Sequence, residues 1–299
     1  MVVLVLGASG LIGNRLVRTL STDFEVFGST RMSKIEDSWL NQLLIKDRWL
    51  LNVFASNFPD LEIKLLSIKP DVIVNCLGVT KQRLNPVDIQ ESIVANALLP
   101  HELSKFCNGH GIRLIQLSTD CVFSGKKGNY KETDEPDPID IYGRTKAIGE
   151  LSNDRDLTIR TSFVGREIHS FTNLFEWAIR NRNSKVVGYT NVIYSGLTTE
   201  ALSTIIKLII ADHKELSGLW HVGSQPICKF DLLSSLNKVL SLGVDIEPDG
   251  SKICDRSLNT DAFQSETLIK MPIWPEMLRD FAQDQVWYDL LKTSEVRVS

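Results

Sequence analysis

The sequence predicts an α/β fold in which a doubly wound parallel sheet is followed by a smaller α/β C-terminal domain. Short apolar runs alternate with helical patterns through the first half of the chain, and the run over residues 2–6 is continuous and valine-rich. Such runs are typical of strands buried on both faces, and right-handed crossovers between them build a parallel sheet covered by helices. After residue 160 the alternation loosens, and Pro and Gly become frequent from Gly243 onwards, which predicts a less regular, turn-rich end.

The individual elements follow from apolar spacing. Short apolar runs predict strands over 2–6, 24–27, 50–54, 71–75, 112–117, 157–160 and 218–222. Apolar residues at helical spacing predict helices over 11–20, 59–68, 86–108, 139–151, 171–180, 198–210 and 231–240.

Composition and charge exclude several functional classes. With 33 Lys+Arg against 37 Asp+Glu, the net charge of −4 does not fit a nucleic-acid partner. The apolar runs fall short of the roughly 20 residues that span a membrane, and the N-terminal run is too short for a signal peptide. Five scattered cysteines without a C-x-x-C pair predict no disulfide framework, no metal site and a reducing, cytoplasmic location.

A glycine-rich loop joins the first predicted strand to the first predicted helix. Its spacing is G-x-x-G-x-x-G, with glycines at 7, 10 and 13. Such glycines allow a tight turn, close approach of the backbone to a pyrophosphate, and close helix–strand packing. The phosphates then meet free N–H groups at the positive end of the helix dipole. This pattern predicts a Rossmann-type dinucleotide site in which Gly7, Ser9, Gly10, Leu11, Ile12 and Gly13 contact the cofactor.

The choice of dinucleotide depends on the end of the second strand. An NAD site usually places Asp or Glu there to accept a hydrogen bond from the ribose 2′-hydroxyl. This chain has Ser29, Thr30 and Arg31 instead. A guanidinium with neighbouring hydroxyls suits a 2′-phosphate. The sequence therefore favours NADPH, with NADH as the alternative.

A Y-x-x-x-K pair and a strand-end hydroxyl make the candidate catalytic group. Tyr142 and Lys146 are four residues apart on a predicted helix, so they share one face. A nearby ammonium is expected to lower the pKa of the phenol and to suit it to proton transfer at a carbinol oxygen. Thr119 ends the fifth predicted strand and is expected to hydrogen-bond the same substrate oxygen.

These segments together resemble the extended short-chain dehydrogenase/reductases, and most closely the dTDP-4-dehydrorhamnose reductase family. The likeness covers about residues 1–240 and includes the glycine loop, S-T-D-C-V-F-S-G over 118–125, Y-G-R-T-K over 142–146 and R-T-S-F-V-G over 160–165. It implies an NADPH-dependent reduction of a nucleotide-linked 4-keto-6-deoxyhexose for surface polysaccharide. Tyr142 would be the proton donor and Thr119 its hydroxyl partner. Lys146 would hold the nicotinamide ribose and tune Tyr142.

The resemblance also implies further site residues. On the cofactor side these are Asn57, Phe58, Leu77, Gly78, Val79 and Asn96, together with Tyr142 and Lys146 themselves. On the substrate side they are Asp120, Cys121, Phe163 and Arg256, although from the residues alone Arg256 is either a diphosphate contact or a solvated loop cation. Three positions depart from the family pattern. Cys121 replaces a Tyr, Asn57 replaces an acid, and Arg15 stands where some members carry a metal-binding Glu, so no magnesium is expected.

The sequence predicts an NADP-binding domain over 1–160, with 196–215 packing back on it, and a substrate-binding domain over 161–195 and 216–299. Two other functions stay open: a reductase that also epimerises a related nucleotide sugar, and a non-catalytic NADP-binding regulatory subunit. Nucleotide-sugar dehydratases need a Thr-Asp-Glu sequence, and here Cys121 follows Thr119-Asp120, so dehydration is disfavoured.

A homodimer is the general expectation for a soluble protein that forms oligomers.

Overall fold

Strands and helices alternate along the structure, a computed structural model that describes residues 1–35, 39–80, 89–168 and 173–295. In chain order the strands are β1 (Val2–Leu6), β2 (Glu25–Ser29), β3 (Trp49–Leu50), β4 (Val72–Asn75), β5 (Arg113–Thr119), β6 (Leu157–Thr161), β7 (Phe163–Val164), β8 (Lys185–Tyr189), β9 (Val192–Tyr194), β10 (Leu197–Thr198), β11 (Gly218–His221), β12 (Ile227–Cys228), β13 (Asp245–Asp249) and β14 (Cys254–Asp255). The α-helices are α1 (Leu11–Leu20), α2 (Phe58–Ile68), α3 (Ile89–Ser92), α4 (Leu99–His110), α5 (Ile141–Ile148), α6 (Leu174–Arg180), α7 (Thr199–Asp212), α8 (Lys229–Leu240), α9 (Asp261–Thr267) and α10 (Trp274–Glu295).

The central sheet consists of seven parallel strands in the order β11-β6-β5-β4-β1-β2-β3. Strand β1 pairs with both β2 and β4, so Val3 lies between Val26 and Val72. The strand order reverses at β1, and a crevice for a ligand opens there at the carboxyl ends of the strands. The predicted Rossmann-type doubly wound parallel sheet is confirmed.

Each face of the sheet is covered by its own apolar core. Val3 packs on one face with residues such as Leu16 of α1 and Ile206 of α7. Leu4 packs on the other face with Leu103 of α4 and its neighbours. All of these side chains are buried. Alternation of side chains across a pleated strand explains why β1 must be apolar at every position.

The predicted elements of the first half are found within a few residues, with two differences. The third strand ends at Leu50 instead of continuing to 54, because Asn52 adopts a left-handed backbone with φ of 54°. The helix predicted over 86–108 is interrupted by a π-helical turn over Ile93–Leu98, between α3 and α4. Residues 86–88 of that prediction, and 171–172 of another, lie outside the described residues.

Two later elements pack on the N-terminal half of the chain. Helix α7, within the segment 196–215, packs on α1. Strand β11, in the segment predicted for the substrate-binding domain, pairs with β6 in the central sheet, with Trp220 opposite Ile159. The division into domains stays a prediction.

The prediction of a turn-rich C-terminal end is wrong for the last helix. Helix α10 is 22 residues long. Pro275 stands in its first turn, where a missing N–H costs no intrahelical bond, so this proline starts the helix. Phe281 packs on Phe175 with ring centroids 4.7 Å apart, and Tyr288 donates a 2.9 Å hydrogen bond to Asn14 of α1. None of the helices in the described ranges is long and apolar enough to cross a membrane.

Candidate active site

The glycine loop has the backbone geometry that a dinucleotide site requires. Gly7 has a φ of +78°, and its N–H donates a 2.9 Å hydrogen bond to Ser29 Oγ. The N–H of Gly10 donates to the carbonyl of Gly7. A Cβ at position 13 would lie 2.1 Å from the Gly7 oxygen and 2.8 Å from Ala8 Cα, so only glycine allows α1 to approach the loop this closely.

Helix α1 begins with its N–H groups open to an anion. Gly10 occupies the N-cap position, no side chain caps the helix there, and its first turn carries no acidic residue. The N–H groups of a first helical turn have no intrahelical partner, and they carry the positive end of the helix dipole. The residues present therefore fit a dinucleotide diphosphate.

A cleft of about 570 Å³ opens beside this loop. Most of the predicted cofactor residues line it. They are Gly7, Ser9, Gly10, Leu11, Ser29, Thr30, Arg31, Leu77, Gly78 and Val79. Ile12 and Gly13 instead lie buried in the first turn of α1, behind the lining. The Arg31 side chain is exposed at the cleft, where a 2′-phosphate would need it.

Three further predicted cofactor residues lie outside the lining of the cleft, as do Tyr142 and Lys146 of α5. Asn57 caps α2, with its Oδ1 accepting a hydrogen bond from the N–H of Asp60. Phe58 packs edge-on against Phe106 in the apolar core. Asn96 is fully buried, and its amide exchanges hydrogen bonds of 2.9 and 3.0 Å with the backbone of Val79. Asn96 therefore acts on the cleft through the turn that it fixes.

Helix α5 presents Tyr142 and Lys146 beside the end of β5. The Asp140 carboxylate caps this helix by accepting a 2.8 Å hydrogen bond from the N–H of Gly143. A Cβ on Gly143 would lie 2.2 Å from the Cys121 carbonyl oxygen, so the helix packs directly on the chain that follows β5. This close packing brings Tyr142 near Thr119, whose hydroxyl acts on the pKa of the phenol.

A buried ion pair fixes α5 against two strands of the sheet. Glu150, just after the helix, accepts a 2.6 Å hydrogen bond from Ser118 of β5. Its carboxylate also forms an ion pair of 2.7 Å with Arg160 of β6, and both side chains are more than 90% buried. The polar residues at 118 and 160 thus hold the helix that carries Tyr142 and Lys146.

The electrostatics of Tyr142 differ from the expectation. Burial raises the pKa of Tyr142, with Cys121, Asp120 and Asp140 also raising it, and the hydrogen bond with Thr119 opposes the rise. Lys146, which was expected to lower this pKa, is not among the groups that shift it, and its ammonium donates a 2.6 Å hydrogen bond to the Leu117 carbonyl. The phenol therefore keeps its proton at neutral pH.

Lys146 is itself perturbed. The side chain is only 6% exposed. Burial lowers the pKa of Lys146 to about 8, although the Glu150 carboxylate and Cys76 oppose the shift. At neutral pH most of the ammonium is still charged.

Three predicted substrate residues lie together. Asp120 and Cys121 directly follow β5, and Arg256 contacts Cys121 from a distant part of the chain. Arg256 donates hydrogen bonds to the Phe123 carbonyl at 2.9 Å and to Cys121 Sγ at 3.4 Å, so it is packed in place and is not a solvated loop cation. Burial, with Asp120 adding to it, raises the pKa of the Cys121 thiol to about 12. Cys121 is therefore a protonated thiol at neutral pH. Phe163 lies in β7, half-buried against the main core.

Arg15 stands at the position where the resemblance implies a metal-binding Glu in some family members, and here it forms an ion pair. Its guanidinium lies 2.7 Å from the Asp284 carboxylate of α10. Among the residues that the structure describes, no cluster of three or more His, Cys, Asp or Glu side chains is placed to hold a metal ion.

The family model described as the RmlD substrate binding domain matches residues 1–241. The chain belongs to this family. A dTDP-4-dehydrorhamnose reductase of Aggregatibacter actinomycetemcomitans is 28% identical over 200 residues, which cover 61% of this chain and 68% of that protein. The spore coat polysaccharide biosynthesis protein SpsK of Bacillus subtilis is 25% identical over 301 residues, which cover 95% and 97%.

Solved structures of the family share the fold. A dTDP-4-dehydrorhamnose reductase of Bacillus anthracis, crystallised in complex with NADP, superposes with a TM-score of 0.76 at 22% identity, covering 94% of this chain and 98% of that one. The resemblance predicted from the sequence motifs is confirmed.

Lys229, at the start of α8, lies close to the predicted substrate residues, although the sequence does not single it out. Its ammonium lies 3.6 Å from the ring centroid of Tyr194. Burial lowers the pKa of Lys229 to about 8, and Asp120 is the first group that opposes this shift. Burial also raises the pKa of Asp120, while Arg256 and then Lys229 lower it. The sequence gives no reason to select Lys229 as a site residue, because most lysines next to a helical pattern are solvated.

Proposed function

We propose that the protein is an NADPH-dependent oxidoreductase that reduces the 4-keto group of a nucleotide-linked 4-keto-6-deoxyhexose for polysaccharide biosynthesis. Membership of the RmlD family supports the class of reaction. The observation that carries the proposal is that Tyr142 lies near Thr119, with Lys146 on the same helix face and close to Cys76, which lines the dinucleotide cleft. This arrangement suits proton delivery to a ketone oxygen.

The cofactor would be held by three parts of the chain. The glycine loop and the first turn of α1 would hold the diphosphate, and Arg31 and Thr30 would hold the 2′-phosphate. The turn that Asn96 fixes would line the nicotinamide end. Bound NADPH supplies the hydride for the reduction.

The proton for the reduced carbonyl would come from a side chain of the protein. Tyr142 would protonate the oxygen of the reduced carbonyl, because burial raises its pKa and keeps the phenol in the donor form. Thr119 would orient the same oxygen through its hydroxyl. Lys146, on the same helix face as Tyr142, would hold the nicotinamide ribose through its buried ammonium.

The substrate would lie against Asp120, Cys121 and Arg256. Two cations, Arg256 and Lys229, act on the single buried carboxylate of Asp120. Although Asp140 also acts on Arg256, the guanidinium and the ammonium are groups that suit the diphosphate of a nucleotide sugar. We propose Lys229 as an additional substrate contact.

We also propose a cytoplasmic location, since all five cysteines are free thiols, which a reducing compartment preserves. The homodimer remains part of the proposal and rests on the general frequency of such assemblies.

The test is the oxidation of NADPH by purified protein, followed at 340 nm with a panel of nucleotide-linked 4-ketohexoses. We expect turnover with one or more sugars, and its loss in Tyr142→Phe. Binding of NADPH without turnover on any sugar would contradict the reductase and favour the regulatory subunit. Exchange of solvent deuterium into the sugar at carbons next to the ketone would favour the reductase that also epimerises.

A further inference from the structure

An ion pair crosses the mouth of the dinucleotide cleft. Arg31, which follows β2, places Nη1 3.3 Å from Oε1 of Glu91 in α3. The two side chains are 57% and 54% exposed, and both line the cleft. The pair joins two elements that are far apart in the sequence, on opposite sides of the glycine loop.

Glu91 supplies the kind of group that the end of β2 lacks. NAD sites usually carry a carboxylate there, and residues 29–31 contain none. The Glu91 carboxylate reaches the same place from α3, because it contacts Arg31 directly. The cleft therefore presents a cation and a carboxylate at the position where NADPH and NADH differ.

We infer that Arg31 and Glu91 together set the choice between the two cofactors, with Arg31 binding the 2′-phosphate of NADPH and Glu91 accepting from the 2′-hydroxyl of NADH. This inference rests on the proposed dinucleotide site. Glu91 opposes NADPH in two ways, since it competes for Arg31 and repels the phosphate. It favours NADH by offering an acceptor. The NADH mode keeps Arg31 and Glu91 paired, and the NADPH mode requires Arg31 to exchange its partner.

When Arg31 exchanges Glu91 for the 2′-phosphate, the loss of the ion pair costs little free energy, because exposed ion pairs contribute little to stability. Removing the Glu91 charge is expected to tighten NADPH binding about threefold or more and to weaken NADH binding by a similar factor, so the ratio of the two affinities changes about tenfold. Arg31→Gln is expected to shift the ratio the other way.

The experiment is direct titration of Glu91→Gln with NADPH and with NADH, by calorimetry at low ionic strength and without any sugar. Glu247→Gln is the matched control, because Glu247 forms a similarly exposed ion pair with Lys185 and does not line the cleft. We expect opposite changes in the two affinities for Glu91→Gln and no change for the control.

Affinities that stay at the wild-type values in Glu91→Gln, or that move in the same direction, would overturn the inference and leave the proposed reductase standing. If the wild-type protein bound neither dinucleotide, the proposed function would fail and the inference with it.

Discussion

Gly13→Ala tests whether the glycine loop is built around close contact with α1. The added Cβ would lie 2.1 Å from the Gly7 oxygen and 2.8 Å from Ala8 Cα, and both are backbone atoms of the loop. A carbon and an oxygen need more than 3 Å, so the loop or the helix must move by about an ångström. Overpacking of this kind costs about 1–3 kcal/mol, whereas alanine in a helix gains up to about 1 kcal/mol over glycine.

Gly109→Ala is the matched control for that substitution. Gly109 also lies in a helix, α4, and a Cβ there meets nothing within 4 Å. The control is expected to gain some fraction of 1 kcal/mol in free energy of unfolding. The difference between the two variants then isolates the clash, about 1–3 kcal/mol, from the change in helix propensity.

The assay is urea unfolding of both variants, together with calorimetric titration of NADPH. Gly13→Ala should lose stability relative to Gly109→Ala and should bind NADPH at least about tenfold more weakly, because the displaced loop no longer presents its N–H groups correctly. Equal stability gains in the two variants, with unchanged affinity for NADPH in Gly13→Ala, would refute the packing argument.

Three further predictions concern the site. Tyr142→Phe should lower kcat about 100-fold or more and change the Kd for NADPH far less in a binding titration, since the variant loses a general acid and keeps the aromatic ring at this position. Asn96→Ala should lower the free energy of unfolding by about 1–3 kcal/mol in urea and weaken NADPH binding, because the Val79 backbone loses its buried partners. The pKa of Lys229 is lowered to about 8 by burial, so the unfolded chain binds more protons above pH 8 and this residue makes stability rise with pH from about 8 towards its usual value of 10.5. Lys229→Met should flatten that rise in unfolding curves measured from pH 8 to 10, and an unchanged slope would contradict the assignment.

Local patterns predict the nucleotide-binding half of the fold well. The loop over 7–13 and strand β1 are defined by residues that are adjacent in the sequence, so apolar runs and glycine spacing suffice to identify them. The π-helical turn at Ile93–Leu98 has no comparable signature, because its apolar spacing is nearly that of an α-helix. The sequence does not predict helix α10, because Pro275 at its start belongs to the series of prolines and glycines that indicates turns.

The site is less predictable where it depends on distant segments. Tyr142, Lys146 and Thr119 are found from spacing, but the direction of the Tyr142 pKa shift depends on burial against Cys121 and Asp120, which appears only after folding. Lys229 acts on Asp120 from α8, which is distant in the sequence. Glu91 reaches Arg31 from another element, and neither residue has a pattern that links it to its partner.

In the proposed reaction, bound NADPH supplies a hydride to the ketone carbon of the sugar, and Tyr142 protonates the oxygen. The most direct measurement uses NADPH deuterated at the transferable position, with dTDP-4-dehydrorhamnose as the sugar, and locates the label in the product by NMR. We expect deuterium at C4 of the sugar, and no labelled product from Tyr142→Phe on the same time scale. Deuterium at another carbon, or oxidation of NADPH that leaves the sugar unlabelled, would contradict the account.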